Sequence, residues 1–272
     1  MDTELDEDVV KVAIVGKPNA GKSSILNRLI GEERVIVSPI AGTTRDAIDT
    51  YIEMDGKKYL FIDTAGIRRK SKVYENIEKY SVIRAYASVE KADVVLTVIE
   101  ATEGISEQDS KIAGLAHDAG KASIVVVNKW DLIEKDNHSV KEYTKKIREE
   151  LPFMQYCPIL FVSALTSQRM GKIKETVDFI FDEASKRVAT GVLNDVIGEA
   201  VMMNQPPSDK GKRLKIYYAT QVGVRPPTFA IFVNEKELFH FSYQRYIENK
   251  LRENFGYEGT PLKIYVREKN RK

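Results

Sequence analysis

Gly16-Lys17-Pro18-Asn19-Ala20-Gly21-Lys22-Ser23 spells G-x-x-x-x-G-K-[ST], a spacing that can cradle the phosphates of a nucleotide. Glycine lets the backbone turn tightly, so that its N–H groups point at the β- and γ-phosphates. A helix opening directly behind the loop adds partial positive charge at the same place. Lys22 would supply a full charge to those phosphates, and the Ser23 hydroxyl would ligate Mg²⁺. Asp63-Thr64-Ala65-Gly66 is the next element. A carboxylate at a strand end near the phosphate loop can hold Mg²⁺ through a water, which leaves the Gly66 N–H to meet the γ-phosphate. Alone, D-x-x-G is an ordinary turn; its weight comes from its place in the order of motifs.

Asn128-Lys129-Trp130-Asp131 selects the base. The Asp131 carboxylate can accept from guanine N1–H and from the 2-amino group. Adenine offers neither donor, and losing such a designed contact costs a factor of ~10⁴–10⁵. The Lys129 stem can lie over the purine plane, while Trp130 itself reads as packing. In Ser163-Ala164-Leu165, the Ala164 N–H is expected to reach guanine O6. The set as a whole implies GTP and GDP as ligands and Mg²⁺ as the cofactor.

These motifs need strands that end beside one another. Val9–Val15, 48–54, 57–62, Asp93–Glu100, Ser123–Asn128 and Ile159–Ser163 read as strands. Lys22–Ile30, Tyr74–Val89, Glu107–Asp118, Ser139–Glu150 and Lys172–Arg187 have helical spacing with an apolar face. The alternation predicts an α/β domain: a mostly parallel, six-stranded sheet with helices on both faces. Asp55-Gly56 predicts a hairpin turn, hence one antiparallel edge.

The rhythm changes near residue 188. A helix over Thr190–Asn204 ends at Pro206-Pro207. Strands follow at Arg213–Gln221 and Thr228–Val233, then a helix Tyr243–Phe255 with Ser242 as its cap and Gly256 as its stop. A strand Leu262–Arg267 completes a small α+β domain. From Gly191 to Lys272 there are 14 Lys/Arg against 9 Asp/Glu, so this segment carries +5 on a chain whose net charge is only +2. A solvated basic surface and an anionic partner such as nucleic acid are both open.

The 43% apolar content supports a packed core and speaks against disorder. The longest apolar runs are too short to span a bilayer. The opening Met-Asp-Thr-Glu-Leu-Asp-Glu-Asp is expected to be neither a signal nor a transit peptide. A single cysteine, Cys157, fits a reducing compartment, and the cytoplasm is the expected location. His117, His138 and His240 show no metal-ligand spacing.

Taken in order, the motifs over residues 11–187 resemble the P-loop GTPases of the TRAFAC class. The resemblance identifies Gly42-Thr43-Thr44-Arg45-Asp46 as the first switch and implies that Thr44 meets Mg²⁺ and the γ-phosphate. Lys22, Thr44 and Gly66 are then the expected catalytic set. Where Ras-like enzymes carry a water-orienting glutamine, this chain has Ile67, which can neither take a proton nor orient a water. In similar proteins that pair this substitution with a phosphate-loop asparagine, K⁺ supplies charge near the β/γ-bridge. Asn19 stands at that position, and the alternative is that it only stabilises the loop. Arg68, Arg69, Lys70 and Lys72 form a basic second switch, read either as solvated charge or as a nucleotide-dependent contact.

The spellings Lys-Pro-Asn-Ala-Gly-Lys-Ser-Ser, Gly-Thr-Thr-Arg-Asp, Asp-Thr-Ala-Gly-Ile-Arg-Arg-Lys and Asn-Lys-Trp-Asp-Leu narrow the resemblance to the EngA/Der family. That family consists of bacterial GTPases that act in assembly of the large (50S) ribosomal subunit and carry two G domains followed by a KH-like domain. The resemblance implies residues 1–8 as an acidic linker remnant, 9–187 as a G domain and 188–272 as the KH-like domain, with the first G domain absent. It implies rRNA and ribosomal proteins of the large subunit or its precursors as partners, together with that first G domain in the full-length protein, and no membrane. Gly256-Tyr257-Glu258-Gly259 fits the letters of a KH clamp. It lies between a helix and the last strand, however, and Glu258 would repel phosphate, so it reads as a helix stop and a turn. Lys210, Lys212, Arg213, Lys215, Arg267, Lys269, Arg271 and Lys272 could meet RNA or a protein. Two further readings stay open: a GTP-dependent binding module with negligible turnover, and a tRNA-modification GTPase.

Overall fold

A computed structural model describes residues 9–31, 35–41, 48–64, 67, 77–134, 138–209 and 211–269. Two compact units, Met1–Phe181 and Asp182–Lys272, make up the chain. The first switch, the acidic start, the segment from Arg68 to Lys72, and Lys210, Arg271 and Lys272 lie outside the described residues.

In the first unit the order is β1 (Val9–Gly16), α1 (Lys22–Ile30), β2 (Val35–Ala41), β3 (Ile48–Met54), β4 (Lys57–Phe61), α2 (Ile77–Lys91), β5 (Val94–Glu100), α3 (Glu107–Asp118), β6 (Ala122–Asn128), α4 (Ser139–Glu150), β7 (Ile159–Phe161) and α5 (Gly171–Ser185). The strands lie β2-β3-β4-β1-β5-β6-β7. From β4 to β7 every pair is parallel, while β2, β3 and β4 pair antiparallel. Among the described residues the sheet therefore has seven strands rather than the expected six. The addition is β2, whose backbone pairs along β3 from Val35 to Ala41. It contains Pro39, which an edge strand tolerates because one row of its backbone groups needs no partner.

Every residue of β5 and β6 is buried, which explains their unbroken Val/Ile runs: helices cover both faces of a parallel sheet. The β3–β4 turn uses Asp55 and Gly56, both at positive φ (51° and 77°), the backbone that lets a two-residue turn follow the twist of its strands. The parallel strands β4, β1, β5, β6 and β7 all deliver their carboxyl ends to one rim of the sheet, where the four motifs follow them.

The second unit runs α6 (Thr190–Met203), β8 (Ser208–Asp209), β9 (Lys212–Arg213), β10 (Ile216–Gly223), β11 (Thr228–Val233), α7 (Phe241–Phe255) and β12 (Lys263–Glu268). Its main sheet is β10-β11-β12, antiparallel and then parallel. Leu193 and Ile197 of α6, Ile247 and Leu251 of α7, and Phe229 and Ile231 of β11 meet in one core.

The strand expected from Arg213 begins at Ile216, since Lys212 and Arg213 pair instead with Ser208 and Asp209. Ser242 does not cap α7: the helix starts at Phe241, where the His240 carbonyl accepts from the N–H groups of Tyr243 and Gln244. Gly256 stops the helix at φ 87°. The turn behind it faces inward, with Tyr257 wholly buried and its N–H donated to Glu183 Oε2 at 2.6 Å. Arg252 donates to the carbonyls of Tyr257 and Thr260 at 2.8 and 3.0 Å. A turn bonded on both sides in this way is a structural stop.

Candidate guanine nucleotide site

The loop between β1 and α1 is shaped by glycines with no room for a side chain. Gly16 has φ 148°, and a Cβ there would stand 2.4 Å from the Val98 carbonyl oxygen on β5. Gly21 has φ 94°, and its Cβ would fall 2.0 Å from Asn128 Nδ2. Lys22 folds back along the loop, its Nζ donating to the carbonyls of Gly16 (2.8 Å) and Lys17 (2.6 Å). Burial lowers its pKa to about 8, against a smaller opposing pull from the Asp109 carboxylate. Its ammonium is thus charged at neutral pH but easily discharged above it.

Lys17 ties the loop to α3. Its Nζ sits 3.1 Å from Glu103 and 3.2 Å from Asp109. Burial works against the charge, yet the two carboxylates hold its pKa above the ordinary lysine value. Asp109 is buried because it closes the capping box of α3, accepting from the Ser106 N–H and hydroxyl. Asn19 takes φ 67°, a left-handed backbone that asparagine tolerates, and its side chain is exposed.

Asn128 joins three of the four motifs. Buried at the end of β6, it donates from Nδ2 to the Ala20 carbonyl (3.0 Å), and its Oδ1 accepts from the Ala164 N–H (3.1 Å). The Ala164 N–H, expected to reach guanine O6, is thus directed at Asn128 in this structure. Lys129 then turns through φ 61°, and its Nζ pairs with Glu100 at 2.7 Å. Burial opposes ionisation of Glu100, but bonds from Lys129 and Thr102 hold its pKa below the usual carboxylate range. The Trp130 ring is 2% exposed and packs against Phe161 and Tyr143, with centroids at 4.5 and 5.4 Å. It supplies core, not a ligand surface.

Next to this junction lies a cavity of about 440 Å³ bounded by Gly21, Asn128, Lys129, Asp131, Ala164 and Leu165. Asp131 Oδ1 is buried with no hydrogen-bond partner among the described residues. A buried carboxylate oxygen left unpaired costs free energy unless a donor meets it. Ser163 is fully buried, and its Oγ accepts from the Thr166 N–H at 3.1 Å, which shapes the turn that carries Ala164 and Leu165.

Ser24, Asn27 and Arg28 on α1, and Gly31 at its end, line the rest of the cavity. Arg28 donates to the carbonyls of Ala164 (3.3 Å) and Leu165 (3.1 Å), and so holds that loop against α1. No motif marks this residue. The signal is in the spacing: Gly21, Ser24, Arg28 and Gly31 recur every three or four residues and share one helix face.

Around the expected Mg²⁺ position, the Ser23 hydroxyl donates to the Ile67 carbonyl. The Asp63 N–H donates to Asp49 Oδ1 at 2.8 Å, and Thr50 and Thr64 share a buried bond of 2.7 Å. Pro18 is exposed at the loop tip. Thr44, Ala65 and Gly66 lie outside the described residues. Ser23 and Asp63 follow adjacent parallel strands, β1 and β4, and are hard oxygen donors of the kind Mg²⁺ takes together with phosphate oxygens. Among the described residues no three His, Cys, Asp or Glu converge in a metal cluster.

A phosphate loop, a strand-end aspartate and an N-K-x-D turn on the rim of a parallel sheet define a GTPase domain. Residues 11–129 match the family described as "50S ribosome-binding GTPase". Residues 187–267 match "KH-domain-like of EngA bacterial GTPase enzymes, C-terminal". The chain is 62% identical over 269 residues to GTPase Der of Ruminiclostridium cellulolyticum, covering 99% of this chain and 61% of that one. It is 64% identical over 265 residues to GTPase Der of Alkaliphilus metalliredigens, covering 97% and 60%. Among solved structures it is similar to Era in complex with MgGDPNP and a fragment of 16S ribosomal RNA, at 27% identity and a TM-score of 0.48, covering 96% of this chain and 94% of that one. The chain spans about three fifths of the length of the Der relatives it matches. Among the described residues no helix is long and apolar enough to cross a membrane.

Proposed function

We propose that this chain is a GTP-hydrolysing switch acting in assembly of the bacterial large ribosomal subunit. One observation carries the nucleotide half of that reading: Asn128 bonds the phosphate loop and the Ala164 turn at once, and beside it Asp131, with one carboxylate oxygen unpartnered among the described residues, lines a cavity of about 440 Å³. In this reading the N–H groups of 16–23 and the Lys22 ammonium hold the phosphates. Asp131 accepts from guanine, and the Lys129 stem, fixed by Glu100, lies along the base. Ser23, Thr44 and Asp63 are the protein groups that would hold Mg²⁺. When bound, that ion would draw charge from the β- and γ-phosphate oxygens. The Ser23 oxygen keeps its lone pairs for the ion while its proton is donated to the Ile67 carbonyl, so one hydroxyl would link the metal position to the start of the second switch. The ribosomal half rests on the match of residues 11–129 to the family described as "50S ribosome-binding GTPase". Residues 9–187 are the G domain and 188–272 the KH-like domain in this scheme, and the first G domain that the resemblance implies is a further partner.

Ile67 offers no base, so hydrolysis needs charge from elsewhere. The exposed Asn19 carboxamide is our candidate ligand for K⁺. Steady-state GTP hydrolysis in KCl against NaCl, with wild type and Asn19→Gly, tests this; glycine removes the carboxamide yet accepts φ 67°. The reading expects a K⁺-dependent rate that the variant loses. Equal, very slow rates in all arms would favour a GTP-dependent binding module. Co-sedimentation with 50S particles, stronger with a non-hydrolysable GTP analogue than with GDP, tests the ribosomal half.

A further inference from the structure

The second unit packs its helices on one face of the β10-β11-β12 sheet. Phe229, Ile231 and Val233 point to that core, and Ala219, Ile264 and Val266 join them. Strand alternation puts the residues between them on the opposite face. Register aligns Tyr218 with Phe232 and Phe232 with Arg267, Thr220 with Ala230 and Ala230 with Tyr265, and Thr228 with Lys263. Tyr218, Tyr265 and Arg267 are exposed. The Tyr218 and Phe232 rings stack across the strands, 4.3 Å apart and 13° from parallel. Lys269, its backbone bonded to Val233, sets its ammonium 5.5 Å from the Tyr217 ring and 5.7 Å from the Tyr218 ring. The neighbouring Glu268 carboxylate is turned away, accepting from the Lys236 N–H. The face thus presents aromatic rings among three cations, Lys263, Arg267 and Lys269, with no carboxylate at the outward-facing positions of its strands among the described residues.

We propose that this outer sheet face binds single-stranded RNA, stacking unpaired bases on Tyr218 and Tyr265 and pairing backbone phosphates with Arg267, Lys263 and Lys269. The inference deepens the ribosomal reading above and rests on it for the source of the RNA. The face is distinct from the Gly256–Gly259 turn, whose Tyr257 N–H and carbonyl are bonded inward to Glu183 and Arg252. Charge favours a polyanion over a protein, because protein interfaces are depleted of lysine at their centres. The exposed Tyr265 ring, with the partly exposed Tyr218 ring backed by Phe232 beside it, favours single strands over duplex, whose bases are already stacked on one another.

The test titrates the full chain into fluorescently labelled single-stranded U-rich RNA of twelve nucleotides, and into a duplex of equal length, at low salt by anisotropy. The proteins are wild type, Tyr218→Ala/Tyr265→Ala, Tyr218→Phe/Tyr265→Phe and Arg267→Gln. Each ring lost should weaken single-strand binding by at least about fivefold, so the double alanine variant should lose about 25-fold or more. The phenylalanine variant should bind like wild type, since it keeps both rings. Arg267→Gln should weaken binding and flatten its salt dependence. Unchanged affinity in the double alanine variant overturns the proposal, as does equal binding of the duplex or a preference for a protein partner that the same variant abolishes. GTP hydrolysis and 50S co-sedimentation, measured on the same samples, separate the two readings. If both persist while wild type shows no RNA binding, the sheet face fails and the switch stands.

Discussion

Asn128→Ala removes two buried hydrogen bonds at once. The side chain is 2% exposed, and its amide spans from the Ala20 carbonyl at 3.0 Å to the Ala164 N–H at 3.1 Å. Truncation leaves one acceptor and one donor unmet, at about 1–3 kcal/mol each. Asn128 and Ala164 line the adjoining cavity, so truncation makes room for water at the site, and we take the lower half of that range, about 2–4 kcal/mol in total. Because the bonds hold the loop and the turn in register, the loss should fall mainly on nucleotide affinity, as a weakening of about 30- to 1000-fold for GDP. Fluorescent-GDP titration and urea denaturation, run side by side, divide the loss between affinity and fold. A variant that binds GDP within threefold of wild type and unfolds at the same urea concentration would refute the claim that Asn128 organises the site.

Asp131→Asn puts an amide donor where guanine's 2-amino group donates, so GTP should bind at least about 10³-fold more weakly; xanthosine triphosphate, which carries an oxygen at that position, should bind better than GTP in a competition assay. Gly21→Ala should abolish measurable nucleotide binding, because the new Cβ falls 2.0 Å from an amide held by two bonds and φ 94° strains any alanine. With the Lys22 pKa lowered by burial to about 8, GDP affinity should fall about tenfold per pH unit above 8 until the complex's own pKa is reached, and Lys22→Met should show no such slope. For folding the same shift has the opposite sign: between pH 8 and the ordinary 10.5 the unfolded chain holds a proton that the folded one has released, so this group makes urea stability rise with pH across that window.

Local signals fix the ends of several elements. α1, α3 and α4 begin and end where apolar period and flanking residues put them, and Asp55-Gly56 makes its hairpin because both residues take positive φ. β2 escaped because Val35-Ile36-Val37-Ser38-Pro39 is short and interrupted by proline, which argues against a strand unless the edge position is known. Edge position is a property of the sheet and is not written in the segment. The cap of α7 was misplaced for a related reason: the His240 carbonyl, not a hydroxyl, takes the first N–H groups, and a backbone acceptor leaves no trace in residue type.

The motifs named the chemistry but not the wiring. Each is a run of four to eight residues whose types must suit phosphate or guanine, so each could be read alone. Asn128, by contrast, bonds residues 108 and 36 positions away. Lys17 reaches Asp109 on α3, and Arg28 reaches the turn after β7. None of these pairings has a spacing rule, because the sheet order, not the sequence, decides which strand ends become neighbours. The wiring also explains why Asn128 cannot be replaced by a residue that merely donates or merely accepts. Ala20 offers a carbonyl and Ala164 an N–H, so only a side chain with both kinds of group, and of this length, keeps the phosphate loop and the base-reading turn at a fixed distance. That distance has to suit a nucleoside, with its phosphates at one end and its base at the other.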